Sequence, residues 1–291
     1  TLADAIQDYT DDVDRIGKTK AQVLRSLLEF DIASKPMAEI RSQDVVELAR
    51  QLGRGGRQPQ TVQNYLSHLG AVFAVARSAY GYDVDRSVIS DALETTRRLG
   101  MTGKSGKRDR RPTLEEVDAL LTHFEEIRAR RPSSNPMSHV VAFALFSTRR
   151  QEEITRIEWE DLDERHSRVL VRDMKHPGQK RGNDVFVDLP PEALAIIGKM
   201  PRTDPRIFPF STDAISAAFT RACKVLDIED LHFHDLRHEG VSRLFEMGWT
   251  IPRVSAVSGH RSWSSLQRYA HLRETGDRWS GWPWLERLEA L

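Results

Sequence analysis

A glycine-punctuated basic run, residues 97–111, separates two halves of different pattern and constrains the fold of this chain more than any other feature. It reads Arg97-Arg-Leu-Gly-Met-Thr-Gly-Lys-Ser-Gly-Lys-Arg-Asp-Arg-Arg111, seven cations and one acid among three glycines, with no apolar periodicity. Such a segment neither joins a core nor sustains a helix, so it predicts a flexible linker, closed by Pro112. Two domains are therefore expected, residues 1–96 and 113–291, joined by 97–112. Each is long enough to bury a core of its own.

Before the run every periodic segment is helical. Ala3, Ile6 and Val13 suggest one amphipathic helix, and Val23, Leu24, Leu27 and Leu28 a second. A third runs through Val45, Val46, Leu48 and Ala49 with Ser42 as its expected N-cap. A fourth follows Pro59, where Val62, Tyr65, Leu66, Leu69, Val72, Phe73 and Val75 recur at spacings of three and four. After the run, Thr113 and Glu116 form a capping-box pattern, and another helix is expected through Val140–Phe146. Only residues 168–172 and 184–189 read as strands, joined by the basic, turn-rich Lys175-His-Pro-Gly-Gln-Lys180-Arg181-Gly-Asn. The fold class is thus mostly α, an all-helical N-terminal domain followed by a mixed α+β domain with a small antiparallel sheet.

Composition narrows the function classes. Charged residues make up 30% of the chain, mean hydropathy is −0.50, and no apolar run approaches the roughly 20 residues a membrane span needs. The start, Thr-Leu-Ala-Asp-Ala-Ile, has neither a basic segment nor an apolar stretch, so no secretion signal is read there, and the missing initiator Met suggests trimming. The single Cys223 cannot form an internal disulfide, which fits a reducing cytoplasm. The 43 Lys+Arg balance 43 Asp+Glu, an argument against a nucleic-acid partner only if the charge were evenly spread. The basic run shows that it is not; it is either a solvated loop or a strap for a phosphate backbone.

Four local patterns carry chemistry. Arg150 and Glu153 stand three apart, so a helix would put them on one face, either as an exposed ion pair or as a guanidinium oriented by a buried carboxylate for phosphate. Lys175 at the hairpin tip is either solvated or a proton donor to a bound phosphate. His234 and Arg237, again three apart near a probable helix start, suit an anion. A zinc pair, His234 with His238, is the rival, but the intervening Asp-Leu-Arg lacks a catalytic glutamate and its Arg would repel a cation, so no metal is expected. Finally Gly259-His260 is followed nine positions later by Tyr269, a phenol that nearby cations would have to activate. Two Arg, a Lys and two His, with no phosphate-cradling Gly loop, form a set able to neutralise a pentacovalent phosphorane, and Tyr269 is the evident nucleophile.

Together these residues resemble the tyrosine recombinase, or phage integrase, family. Ser147-Thr-Arg-Arg150-Gln-Glu-Glu153 with Trp159 and Asp161 is similar to its first-arginine motif. His234-Asp-Leu-Arg237-His238 is similar to its His-x-x-Arg box, and Gly259-His260 with Tyr269 to its third motif and nucleophile. Lys175 falls in the hairpin where that family keeps a catalytic lysine. Ser147 and Thr148 stand where the family usually has Thr-Gly, and adjacent Arg149 makes the choice of Arg150 rest on its spacing to Glu153, Trp159 and Asp161. The wording of the hairpin and His box is further similar to shufflon-type DNA invertases.

The resemblance implies that Tyr269 attacks the scissile phosphate, leaving a 3′-phosphotyrosyl link and a free 5′-hydroxyl. Arg150 and Arg237 would hold the non-bridging oxygens, oriented by Glu153, and His260 would hydrogen-bond the same phosphate. Lys175 would protonate the leaving oxygen, and His234 would help move the proton of Tyr269. No cofactor is implied. The partners implied are double-stranded DNA with a recombination site, a tetramer spanning two sites, and an accessory DNA-bending protein, all in the cytoplasm at the nucleoid. Arg54, Arg57, Lys104, Lys107, Arg108, Arg110, Arg111, Lys180 and Arg181 are the candidate DNA contacts, on two domains that could close on a duplex as a clamp. The 22 residues after Tyr269, with Trp279, Trp282 and Trp284, are free to dock on a neighbouring protomer or to fold back. A type IB topoisomerase, a catalytically silent DNA-binding regulator and a zinc-binding helical module remain the competing functions.

Overall fold

The computed structural model describes residues 1–104, 106, 108–174, 182–269 and 271–290. It divides into two compact units, Thr1–Arg108 and Asp109–Leu291.

The first unit is helical: α1 (Leu2–Asp12), α2 (Lys18–Leu27), α3 (Ser42–Arg54), α4 (Pro59–Tyr80) and α5 (Ser87–Arg98), with no strand among its described residues. Local signals explain the ends. Thr1 and Asp4 cap α1 reciprocally. Pro59 opens α4, and Gly81, at φ 74°, closes it in the left-handed conformation that glycine adopts without strain. The three-and-four stripe of α4 is buried from Val62 through Phe73 to Ala76. One expectation moves by a residue. Ser42 is the first helical residue of α3 rather than its cap, because the Asp44 carboxylate accepts the Arg41 backbone N–H at 2.9 Å.

The stretch read as one flexible linker is shared between the units. Arg97 and Arg98 complete α5, and the chain then turns back so that Thr102 Oγ1 donates to Thr96 Oγ1 at 3.2 Å, both residues buried. Asp109–Pro112 belong to the second unit.

That unit contains α6 (Leu114–Arg130), α7 (Met137–Ser147), α8 (Gln151–Ile154), α9 (Pro191–Gly198), α10 (Thr212–Val225), α11 (Phe233–Glu246), α12 (Ile251–Ser258), α13 (Trp263–Leu266), a 3₁₀ turn (Gln267–Tyr269) and α14 (Pro283–Ala290). Its antiparallel sheet has the order β1 (Leu162–Asp163), β2 (Arg168–Val171), β3 (Val185–Asp188), in register Leu162↔Val169 and Val169↔Val187. The two longer strands lie where expected; β1, two residues long, is too short to leave a periodic signal. Thr113 and Glu116 form the anticipated capping box of α6, with bonds of 3.1 and 2.8 Å.

Helix α7 is buried over its whole length, which its uninterrupted apolar sequence requires. It packs against α6, α9 and α11. The crossing with α11 is close because Gly240 has no side chain there: an added Cβ would lie 2.0 Å from the Leu145 carbonyl oxygen. Gly240→Ala is therefore expected to destabilise the protein by about 3 kcal/mol, the upper range for overpacking, in a denaturant melt. A loss below about 1 kcal/mol would show that the helices can separate freely.

The C-terminal segment folds back on its own unit. Trp279, Trp282, Trp284 and Leu288 are buried in the core. Trp279 Nε1 donates to Glu239 at 2.7 Å, Trp282 Nε1 donates to Asp118 at 2.6 Å, and Arg243 pairs with Asp277 at 2.6 Å. Three buried indoles, two of them satisfied at their N–H groups, make this docking strongly favourable.

Candidate active site

The site is assembled on the α7–α8 connection, the first turns of α11, the C-terminal end of α12 and the 3₁₀ turn. At the α7 end Thr148 adopts φ 57°, a costly conformation for a β-branched residue, where the family pattern has glycine. That turn aims its carbonyl at the Arg237 guanidinium, whose Nη1 donates to it while Nη2 donates to the Ser258 carbonyl at 3.0 Å. Arg237 thus ties α7 to α12 from within α11. Its Nη2 also approaches His260 Nε2 at 3.2 Å, and His260 Nδ1 lies 2.7 Å from Ser258 Oγ. Burial beside the Arg237 cation keeps His260 neutral. Gly259, at φ 70°, lets the base of the β2–β3 hairpin approach: an added Cβ would sit 2.7 Å from Met174 Sδ.

Arg150 begins α8, and its Nη1 donates to Glu153 Oε1 at 2.7 Å while the other carboxylate oxygen accepts the Arg150 backbone N–H at 3.1 Å. Glu153 is 1% exposed, so the pair is the oriented guanidinium rather than the surface ion pair. The adjacent arginine is distinguished by burial. Arg149 is 0% exposed, its Nε donates to the Ser147 carbonyl at 3.2 Å and its Nη2 to the Val257 carbonyl, with Nη1 3.5 Å from Glu153 Oε2. Arg149 is structural, and Arg150, partly open to solvent, is the one able to meet a ligand.

One carboxylate therefore sits among three guanidiniums. Burial alone would raise the Glu153 carboxyl, but Arg149, Arg237 and Arg150 override it and hold it at about 2. Burial, reinforced by Arg150 and Arg149, pulls Arg237 down to about 9, which leaves it cationic at neutral pH. His260 is lowered to about 3 by burial and then by Arg237, Arg150 and Arg149. The cluster carries surplus positive charge in a partly desolvated place, a setting that an anion would relieve.

Tyr269 is buried, with its ring stacked on Phe245 at 5.8 Å between centroids. Burial raises the phenol above its ordinary value, against the pull of Arg268 and Arg237. The ring that touches its hydroxyl is His238, with Nδ1 2.7 Å from Oη. The expected proton partner, His234, is exposed and lies edge to face against His238 at 4.9 Å between centroids, because the helix turns the two rings onto neighbouring positions. His238 entered the sequence reading as a possible zinc ligand and as the residue that follows the His-x-x-Arg box, with no role in the reaction. Its place one turn after His234 was visible, but contact with a phenol 31 residues away leaves no local signal. Among the described residues no group of three His, Cys, Asp or Glu side chains could hold a metal ion, and no helix is long and apolar enough to cross a membrane.

The remaining candidates fall into three groups. Lys175, Lys180, Arg181 and Lys107 lie outside the described residues. Arg54 pairs loosely with Glu47 at 3.4 Å, Arg57 lies 5.2 Å over the Tyr65 ring, Lys104 is exposed and Arg108 is partly exposed. Arg110 and Arg111, expected on the DNA backbone, are both engaged in ion pairs within the second unit. Arg110 is bonded to Glu116, and Arg111 pairs with Glu239 and Glu246, each at 2.6 Å. Glu239 is 0% exposed, and a buried carboxylate without a cation would be costly, so Arg111 has a part in the fold.

With this geometry in place, comparison with known proteins is informative. The model of the phage integrase family matches residues 110–275. A shufflon-specific DNA recombinase of Escherichia coli is 33% identical over 271 residues, covering 90% of this chain and 64% of that protein; the chain thus spans under two thirds of this relative's length. The Tn1549 transposon integrase, solved in complex with a circular intermediate DNA, superposes with a TM-score of 0.70 at 13% identity, covering 99% of both chains. A lambda integrase tetramer bound to a Holliday junction gives 0.63 at 18% identity, over 90% of this chain and 76% of that one.

Proposed function

We propose that this chain, which belongs to the phage integrase family, is a site-specific DNA recombinase that cuts and rejoins strands through a 3′-phosphotyrosine on Tyr269. The observation that carries the reading is the buried Glu153 ringed by three guanidiniums, with His260 on Arg237 and a phenol within the field of Arg237. In the reaction Tyr269 Oη attacks phosphorus, the bond to the 5′-oxygen breaks, and Lys175 protonates that oxygen. Arg150 and Arg237 hold the non-bridging oxygens, Glu153 keeps Arg150 in place, and His260 and His234 contribute further hydrogen bonds at the phosphate. The ester energy is kept in the phosphotyrosyl link, so no nucleotide is consumed.

Exchange between two duplexes needs four such protomers, and the tetrameric arrangement of lambda integrase on a junction supports a tetramer here. Similarity to the shufflon-specific recombinase favours inversion of a DNA segment over integration, in the cytoplasm at the nucleoid.

The test uses a pool of end-labelled, nicked duplexes of random sequence, quenched in SDS with EDTA present throughout. Wild-type protein is expected to carry label into an SDS-stable adduct and Tyr269→Phe to carry none. Clear DNA binding without adduct would overturn the reading in favour of a regulator.

Salt titration of DNA binding separates the basic residues. Neutralising Lys104 and Lys107 together is expected to flatten the log–log slope by about 1–2, at roughly 0.9 per phosphate contact. Neutralising Arg110 and Arg111 is expected to leave the slope unchanged and lower the melting temperature, since both serve internal carboxylates. A flattened slope in that second variant would restore them as DNA contacts.

A further inference from the structure

We propose that His238 is a catalytic residue, the base that takes the Tyr269 phenol proton during strand cleavage and returns it during rejoining; the proposal rests on the tyrosine-nucleophile reading above. The argument begins with the hydrogen bond. Nδ1 of His238 is 2.7 Å from Oη of Tyr269, and with the imidazole proton on Nε2 the phenol is the donor in that pairing. In that tautomer, which the proposal assigns to His238, the Nδ1 lone pair faces the one hydrogen the nucleophile must lose.

The surroundings keep the pair in that state until DNA binds. His238 faces His234, Asp235 and Arg237 on its own helix and Arg268 on the 3₁₀ turn; Asp109 and Arg111, ahead of α6, act on Tyr269 from the other side. Burial, then His234 and Arg268, lower His238 to about 4, while burial raises the phenol. Both shifts favour the neutral pair, so without substrate the proton stays on oxygen. A DNA phosphate brought among Arg150, Arg237 and His260 adds negative charge beside His238 and offsets the cations that keep it neutral.

The step balances. Tyr269 Oη forms a bond to phosphorus, its proton passes to His238 Nδ1, the bond from phosphorus to the 5′-oxygen breaks, and that oxygen takes its proton from Lys175. In rejoining, the 5′-hydroxyl attacks phosphorus, and the departing phenolate recovers its proton from the His238 imidazolium. Positioning supports the assignment. The Tyr269 ring is stacked on Phe245, and Arg268, which lies 5.6 Å over the same ring, is itself tied to Asp109 at 2.9 Å. The hydroxyl is therefore held against Nδ1.

The test isolates nucleophile activation from leaving-group protonation. Full-length wild-type, His238→Asn, His238→Ala and Tyr269→Phe proteins are given a pool of duplexes with one 5′-bridging phosphorothiolate flanked by random sequence. That sulfur leaves without an acid, so Lys175 no longer limits the rate. Wild type is expected to cleave at a rate nearly independent of pH between 6.5 and 8.5. His238→Ala should be about 10²–10⁴-fold slower at pH 7, the usual contribution of a general base, with a rate rising tenfold per pH unit as free phenolate accumulates. His238→Asn can accept the hydrogen bond but not the proton, so it should share the slope and much of the loss.

A wild-type rate and profile in both His238 variants, with Tyr269→Phe inactive, would overturn the base and leave the tyrosine reading intact. Full rescue by Asn would reduce His238 to a positioning residue and equally overturn it. Adduct formation by Tyr269→Phe, or none by wild type, would overturn the tyrosine reading and the base with it. A DNA-free measurement guards against misfolded variants. In ¹⁵N NMR of histidine rings, His238 of wild type should be unprotonated at Nδ1 at neutral pH, and its titration should move upward in Tyr269→Phe. An unmoved titration would overturn the hydrogen bond on which the proposal stands.

Discussion

Arg237→Lys is expected to slow strand cleavage at least 10³-fold while leaving DNA affinity within a few-fold of wild type. Removing a single preorganised donor from a developing oxyanion typically costs 10²–10³ in rate. Arg237 does more than supply a donor. One guanidinium spans the Thr148 carbonyl, the Ser258 carbonyl and His260, so it fixes the ends of α7 and α12 relative to each other. A lysine ammonium cannot span the three directions, and each buried carbonyl left without a donor costs about 1–3 kcal/mol. Affinity is expected to survive because most phosphate contacts to a duplex lie away from the scissile one. Single-turnover adduct formation measures the rate and a gel shift the affinity. A lysine variant within tenfold of wild type would show that position 237 serves only the fold.

Glu153→Gln is expected to be the most destabilising of the site substitutions, at about 3–5 kcal/mol, the range for removing one partner of a buried charge cluster. Gln keeps the shape and could still accept from Arg150, but Arg149, 0% exposed, would lose the carboxylate that faces it. The pH dependence has a definite sign. A carboxyl held at about 2 in the folded chain, against an ordinary 4.5, contributes stability that is present above pH 4.5 and lost as pH falls toward 2. At 1.36 kcal/mol per unit this is about 3 kcal/mol. His238 and His260, lowered to about 4 and about 3, act in the same sense from pH 6.5 downward, because the unfolded chain binds the protons they refuse. Wild type should thus lose stability from pH 6.5 downward and more steeply below pH 4.5, and the variant should lack that added steepness. Chemical melts from pH 7 to 3 would show it. A steepness unchanged by the substitution would mean that Glu153 is not the titrating group.

The site was largely legible because its chemistry depends on local spacing. Arg150 with Glu153 is set by one helical turn, and that pair is present in the structure as written. What escaped were contacts between residues far apart in the chain. Arg111 read as a candidate DNA contact because nothing near it in sequence announces a buried acid; its partners Glu239 and Glu246 lie well over a hundred residues later. The three tryptophans were compatible with an exposed docking face until the structure buried all of them and gave the N–H groups of Trp279 and Trp282 acceptors on Glu239 and Asp118.

By itself, then, the sequence determined the helical character of the first unit, the two longer strands, the capping of α6 and the residue types gathered for a phosphate, since periodicity, caps and short spacings are local properties of a chain. Only the tertiary structure decided which of two adjacent arginines is buried, which of two histidines meets the phenol, and where the basic run and the tail belong. Those choices follow from burial. A charge or an indole removed from water must find its partner wherever the fold supplies one, and that distance is not written in the neighbouring residues.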